Sequence, residues 1–138
     1  MGKVLALDLG EKSLGIAISD PMQIIPIPLE NFIFERFKLE QAKNKLKEVL
    51  EKEEVDLILL GYPLRTDGKK SASTLLVEKF YQSIKDLNVK IKLVDESYTT
   101  QDAKMMLSQT IKDKKKIQSL KDVAAAYIIL KIYLETKV

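Results

Sequence analysis

The first third of the chain alternates short apolar runs with turn residues, which predicts three strands joined as a meander. Residues 4–9 form an apolar run that closes on Asp8, Leu9 and Gly10, and a second run over 14–19 follows a Gly-Glu-Lys-Ser link. Prolines at 21, 26 and 28 break the next stretch. The third strand is therefore predicted from about 29 to 34, near a sheet edge where proline is tolerated.

The pattern then changes to a helical period. Apolar residues three and four apart among lysines and glutamates predict an amphipathic helix over 36–53. A continuous apolar run over 56–60 predicts a buried strand that stops at Gly61 and Pro63. A second helix ending before Asn88 and a strand over 90–94 follow.

Two capping boxes mark the last helices. Thr99 with Asp102 begins a helix through 103–107, and Ser119 with Asp122 begins a final helix to about Glu135. The predicted order is three strands, a helix, a strand, a helix, a strand and two helices. This order predicts a mixed sheet with helices on both faces.

Length and composition narrow the class of protein. The 138 residues fit one domain over 1–138, and 46% hydrophobic residues can bury a core. The chain has no histidine and no cysteine, which excludes imidazole bases, thiolate catalysis and metal sites built on those ligands. We find no membrane-length apolar run and no secretory signal, so we expect a cytoplasmic protein without a membrane partner.

Asp8 is a carboxylate inside an apolar strand. Burying an ionised carboxylate is costly unless a partner neutralises it. One interpretation is a turn or cap contact through Gly10, which is common at strand ends. The other is a metal ligand at the end of a central strand, where open sheets place their sites.

Two further acids also have a structural and a chemical interpretation. If Val94 faces the core, alternation places Glu96 on the same face and Asp95 on the other. Glu96 is therefore preferred to Asp95 as the functional acid. The alternative is that Glu96 is a solvated acid in a loop. Asp122 suits helix capping. With Asp8 these acids provide an oxygen-only ligand set, which suits Mg²⁺ or Mn²⁺.

Positive charge lies late in the chain. The net charge is +3, and residues 101–138 hold eight basic and four acidic side chains. The lysines at 112 and 114–116 either keep a loop soluble or contact phosphates. Gly10-Glu11-Lys12-Ser13 is no P-loop, because it lacks the glycine before lysine, and no G-x-G-x-x-G occurs.

Four segments carry a signature in one order over nearly the whole chain. They are ALDLGEKSLGIAISD at 6–20, LGYPL with DG at 60–68, VDESYTT at 94–100 and KDVAAA at 121–126. Together they resemble the YqgF family, Holliday-junction-resolvase-like proteins of ribonuclease H fold regarded as nucleases of pre-16S ribosomal RNA.

The resemblance implies an α/β, ribonuclease H-like fold: a mixed five-stranded sheet, with a three-strand antiparallel meander and two parallel strands, and helices on both faces. It also implies that Asp8, Glu96 and Asp122 are the catalytic acids and hold one or two Mg²⁺ or Mn²⁺ ions. The chain departs from the family at Ser13 and Ser97, where the family usually has arginine. We expect other cations to bind nucleic acid in their place: Lys12, Arg65, Lys69, Lys114, Lys115 and Lys116.

The expected activity is metal-dependent hydrolysis of phosphodiester bonds, and the resemblance implies 5′-end processing of pre-16S rRNA. Partners are then precursor rRNA or branched DNA, and the protein is a monomer or a weak homodimer. One alternative is a catalytically weak nucleic-acid-binding protein, and another is a Holliday junction resolvase acting on four-way DNA. An actin-like ATPase shares the Asp-x-Gly hairpin but needs two such domains.

Overall fold

Five strands and three helices build the part of the chain that the structure describes. The structure is a computed structural model; it describes residues 2–63, 71–95 and 121–136, with the backbone alone for residues 121 and 122. The strands are β1 (Lys3–Leu9), β2 (Ser13–Ser19), β3 (Pro26–Ile33), β4 (Val55–Tyr62) and β5 (Lys90–Asp95). The helices are α1 (Leu39–Lys52), α2 (Ala72–Ile84), which a 3₁₀ turn over Lys85–Leu87 continues, and α3 (Lys121–Thr136).

The strands form one mixed sheet in the order β3-β2-β1-β4-β5. The pairs β1–β2 and β2–β3 are antiparallel. The pairs β1–β4 and β4–β5 are parallel. The predicted meander followed by two parallel strands is therefore confirmed, and β1 lies at the centre of the sheet.

Helices cover both faces of this sheet, as predicted. Alternate residues of β1 divide between the two cores, as the period of a strand requires. Leu5 and Leu7 pack with buried residues of α1 and α2, such as Leu46 and Phe80. On the other face the core residues are Val4, Ala6, Ala17, Leu59, Ala126, Ile129 and Leu130, so α3 forms the second layer.

The predicted bounds of the third strand are wrong. β3 begins at Pro26 rather than near residue 29, and it ends at Ile33. It is an edge strand paired only with β2. A proline has no N–H to donate, so it costs fewer hydrogen bonds in an edge strand than in a strand paired on both sides. A register shift opposite Ile16 and Ala17 accommodates the irregular backbone there.

The start of α1 differs from the prediction, and the structure supplies the start of α2, for which no position was predicted. α1 begins at Leu39, three residues late, because the residues before it bind the turn between β1 and β2. α2 begins at Ala72, where Ser71 and Thr74 form a capping box. The usual sequence pattern of a capping box has glutamate or glutamine at the second position, so the threonine here does not match it. Asn88 adopts a left-handed conformation with φ 60° and ends this helical segment as predicted.

The final helix is confirmed over Lys121–Thr136. The helix predicted through 103–107 and the capping contacts of Thr99 and Ser119 lie outside the described residues. Within the described ranges, no helix is both long enough and apolar enough to cross a membrane.

Candidate active site

Asp8 lies near the end of the central strand, where it is half-buried. Alternation along β1 places it on the face of Val4 and Ala6, which is the face that α3 covers. Its partner across the ladder is Gly15 of β2. Glycine has no side chain, so this cross-strand neighbour places none beside the carboxylate.

The turn that follows Asp8 closes through backbone groups. The Gly10 N–H donates to the carbonyl of Ser13 over 2.8 Å. The Phe37 N–H donates to the Glu11 carbonyl (2.7 Å), and the Phe34 N–H donates to the Lys12 carbonyl (2.9 Å). The segment before α1 thus holds the turn in place at the carboxyl end of β1.

Two residues of this turn bear on phosphate binding. The Lys12 side chain is exposed at the sheet end where Asp8 lies, so it is accessible to a nucleic acid. Ser13, where the family has arginine, is only 7% exposed. Its register places it on the face of Gly15, two residues away, and therefore on the face of Asp8.

Glu96 was preferred to Asp95 on the condition that Val94 faces the core, and the end of β5 meets this condition. Val94 packs against the core under α3. Asp95 is exposed at the end of the strand, paired with Tyr62 of β4. Glu96 itself lies outside the described residues, so its place on the face of Val94 stays a prediction.

Asp122 lies in the first turn of α3, but only its backbone is described. Four residues later Ala126 is fully buried against Ala6 and Ala17. Small side chains at this contact allow α3 to lie close to the sheet. Among the side chains that the structure describes, no group of three potential metal ligands occurs.

The other predicted cations lie beyond the described ranges: Arg65, Lys69, Lys114, Lys115 and Lys116. The ends of the segment that carries Arg65 and Lys69 are described. The Thr74 hydroxyl, which is fully buried, donates to the Pro63 carbonyl. This bond joins the end of β4 to the first turn of α2.

Asp20, which also belongs to the family signature, has a structural role. It lies in the loop between β2 and β3, where Gln23 donates a hydrogen bond to the carbonyl of Gly2. Its carboxylate accepts the N–H groups of Ile25 and Ile24 at 2.7 Å and of Met22 at 3.1 Å. These bonds, chiefly that from Ile25, lower the pKa of Asp20.

Sequence reasoning missed an exposed aromatic residue at the sheet end near Asp8. Phe37 is 55% exposed, and the guanidinium carbon of Arg36 lies 4.9 Å from its ring centre. Arg36 also forms a 2.9 Å ion pair with Glu11. The one available signal was that Phe37 lies two residues before Leu39 and is therefore off the apolar stripe of α1.

Comparisons with known proteins identify relatives of this chain and proteins of similar fold. A protein of Mycoplasmopsis pulmonis named "Putative pre-16S rRNA nuclease" is 46% identical, over 97% of this chain and 95% of its own length. A protein of the same name from Ureaplasma parvum is 42% identical, over 94% of each. The structure of Thermus thermophilus RuvC in complex with a Holliday junction substrate superposes with a TM-score of 0.65 at 13% identity, over 99% of this chain and 96% of that one.

The structural likeness confirms the ribonuclease H-like fold class. A sequence model of a protein family, described as "RuvX: Holliday junction resolvase", matches residues 2–136. The chain therefore belongs to the RuvX family.

Proposed function

We propose that this protein is a metal-dependent nuclease that hydrolyses phosphodiester bonds of structured nucleic acid, and that its substrate is precursor 16S rRNA. The observation that carries the proposal is the position of Asp8. This carboxylate lies half-buried at the end of the central strand, on the face covered by the helix that begins with Lys121 and Asp122. The relatives' shared name supports the choice of substrate.

The catalytic acids of the proposal are Asp8, Glu96 and Asp122. Val94 faces α3, so continued alternation would bring Glu96 to the face of Asp8. Asp122 is four residues before Ala126, and residues at this spacing share one side of a helix. Because Ala126 touches the sheet, Asp122 would lie on the sheet side of α3.

The donor chemistry fits a hard divalent cation. The chain has no histidine or cysteine, so it offers a metal oxygen ligands, above all carboxylates, and Mg²⁺ and Mn²⁺ prefer oxygen. Asp8, Glu96 and Asp122 would hold one or two such ions. When bound, a divalent ion lowers the pKa of a coordinated water and offsets negative charge that develops on the phosphate.

The remaining residues of the proposed mechanism hold the substrate. Lys12 lies exposed in the turn beyond Asp8, where its ammonium group can bind a phosphate next to the cleaved bond. We assign the same role to Arg65, Lys69 and the lysines at 114–116. Such contacts position the nucleic acid without reading its sequence, so the fold of the RNA would select the cleavage site.

The test compares four variants on labelled precursor 16S rRNA and on four-way DNA, with Mg²⁺ or Mn²⁺. Asp8→Asn, Glu96→Gln and Asp122→Asn should each lower the cleavage rate at least about 100-fold. Asp95→Asn is the matched control, because Asp95 is exposed and alternates away from the face of Val94. It should cleave within about threefold of the wild type.

A second measurement reads the metal site without catalysis. Mn²⁺ at about 100 times its Kd should stabilise the wild type by about 2.7 kcal/mol in thermal unfolding. Asp8→Asn should lose most of this gain, and Asp95→Asn should keep it. Equal stabilisation of all variants would remove Asp8 from the metal site, and wild-type cleavage by Asp8→Asn would refute the mechanism.

A catalytically weak nucleic-acid-binding protein is the second candidate, and Ser13 favours it. This serine is buried on the face of Asp8. The family signature that the chain resembles usually has arginine there, so the proposed site would have one cation fewer. Binding of precursor rRNA without any metal-dependent turnover would select this candidate. Cleavage of four-way DNA in preference to rRNA would instead select a resolvase.

A further inference from the structure

Phe37 is both exposed and held in an unfavourable backbone conformation. Its φ is 64°, in the left-handed region that bulky side chains rarely adopt. Its N–H donates to the Glu11 carbonyl over 2.7 Å, and its own carbonyl accepts the Leu39 N–H over 3.0 Å. These bonds fix the ring at the surface, although a ring turned inward would gain burial.

The ring borders an apolar groove of about 250 Å³ between the β1–β2 turn and the first turns of α2. Leu75, which is 57% exposed, and Leu76 line this groove together with Glu11, Ala72, Ser73 and Lys79. The guanidinium carbon of Arg36 lies over one face of the Phe37 ring, 4.9 Å from its centre. A strained aromatic residue at the surface of a groove is typical of a binding site.

We propose that Phe37 stacks on an unpaired base of the bound nucleic acid and that the base lies in this groove. The inference rests on the proposed function, since it concerns the strand that the Asp8 site would cut. Glu11 is three residues beyond Asp8, so a strand that crosses the turn would pass from Asp8 to Phe37. Aromatic rings and guanidinium planes both stack on bases and tolerate any sequence.

The charges around the groove favour a base rather than a phosphate as its occupant. Arg36 is already paired with Glu11 at 2.9 Å. Glu35 and Glu40 are exposed and flank the exposed Lys38 in the chain, and Lys79 lines the groove. The local charge is therefore nearly balanced, and the affinity of this site must come from stacking, which releases no counterions.

The first experiment measures binding of a labelled single-stranded RNA in EDTA, where no cleavage occurs. Phe37→Leu should weaken binding about tenfold, and Phe37→Tyr, which keeps the ring, should bind within about twofold of the wild type. The slope of log affinity against log salt should be unchanged in Phe37→Leu, because the substitution removes no phosphate contact. A fully paired duplex should bind both variants equally.

The second experiment uses the absence of tryptophan from the chain. Phe37→Trp creates a single fluorescent reporter at the groove, and stacking on a base should quench it when single-stranded RNA is added. Ile24→Trp is the matched control. Ile24 is 65% exposed in the loop at the far end of the β1–β2 hairpin, so RNA should leave its fluorescence unchanged.

Three other outcomes would each contradict the stacking proposal in a different way. Equal binding by Phe37→Leu and the wild type, with no quenching in Phe37→Trp, would overturn the stacking proposal while rRNA cleavage still supports the nuclease. Loss of self-association in Phe37→Leu, with RNA binding unchanged, would assign the groove to a second copy of the chain. Failure of the wild type to bind or cleave any nucleic acid would overturn both proposals.

Discussion

The packing of α3 on the sheet should control activity more strongly than stability. Ala126, Ala6 and Ala17 are all fully buried where this helix meets β1 and β2. The substitution Ala126→Leu adds three carbon atoms at a contact that has no room for them. The helix must shift away from the sheet, and its first turn, which carries Asp122, must shift with it.

The expected loss of stability follows from the size of the added side chain. Overpacking of a closed core costs about 1–3 kcal/mol. At about 2.1 cal/mol/K of unfolding entropy per residue, a chain of 138 residues has an entropy of unfolding of about 290 cal/mol/K. A loss of about 2 kcal/mol therefore lowers Tm by about 7 °C, which leaves the protein folded at 25 °C.

The expected loss of activity is larger, because a catalytic group misplaced by about 1 Å can cost about 100-fold in rate. Val49→Ala provides the control. Val49 is 5% exposed in the core between α1 and the opposite face of the sheet. Removing its two methyl groups should also cost about 2 kcal/mol, but it leaves α3 in place.

Calorimetry and single-turnover cleavage at 25 °C measure the two effects separately. Both variants should melt at similar temperatures, and only Ala126→Leu should lose cleavage. If Val49→Ala loses as much cleavage as Ala126→Leu, the rate follows general stability. If Ala126→Leu melts lower but cleaves like the wild type, the position of α3 does not set the geometry of the acids.

Three further predictions concern charge. Neutralising Lys114, Lys115 and Lys116 together should lower the salt dependence of RNA binding by up to about 3 in the log–log slope, and an unchanged slope would make these lysines solubilising residues. Ser13→Arg should strengthen binding and steepen that slope by about 1; weaker binding would mean that the cation cannot reach a phosphate. The Asp20 carboxyl has a lowered pKa in the folded state, so its stabilisation is complete above the pKa of the unfolded chain and is lost as pH falls through the folded value. Acid titration of unfolding should therefore show a smaller loss of stability in Asp20→Asn, and parallel curves would contradict this.

Much of the fold could be predicted because local patterns and tertiary contacts agree. β1, β2 and β4 are apolar runs that end in turn residues, and each lies within two residues of its predicted position. The starts of β3 and α1 could not be predicted from local preference. The start of β3 depends on its pairing with β2, which reaches Pro26 opposite Ser19. The start of α1 depends on bonds from Phe34 and Phe37 to carbonyls of the β1–β2 turn, which is distant in the chain.

The sequence predicts the position of some residues of the candidate site better than that of others. Alternation along an apolar strand was enough to place Asp8 on the face opposite Leu7, and the structure adds that α3 covers this face. Whether Asp122 approaches Asp8 depends on how α3 crosses the sheet, which no local pattern encodes. Phe37 was missed because a surface aromatic residue is ordinary in a sequence, and only its φ and its groove distinguish it.

Asp8 and Asp20 lie at opposite ends of one hairpin and have different surroundings. Both acids terminate apolar segments of one hairpin, and both could have been turn residues. Asp20 accepts three N–H groups of its own loop, so its carboxylate oxygens are used to fix that loop. In the turn after Asp8, backbone groups of Gly10 and Ser13 bind each other, and the N–H groups of Phe34 and Phe37 donate to the carbonyls of Lys12 and Glu11. Asp8 is instead half-buried near the end of the central strand, on the face that α3 covers. Burial of a carboxylate carries a desolvation cost, and this is the position expected of an acid that acts in the proposed site.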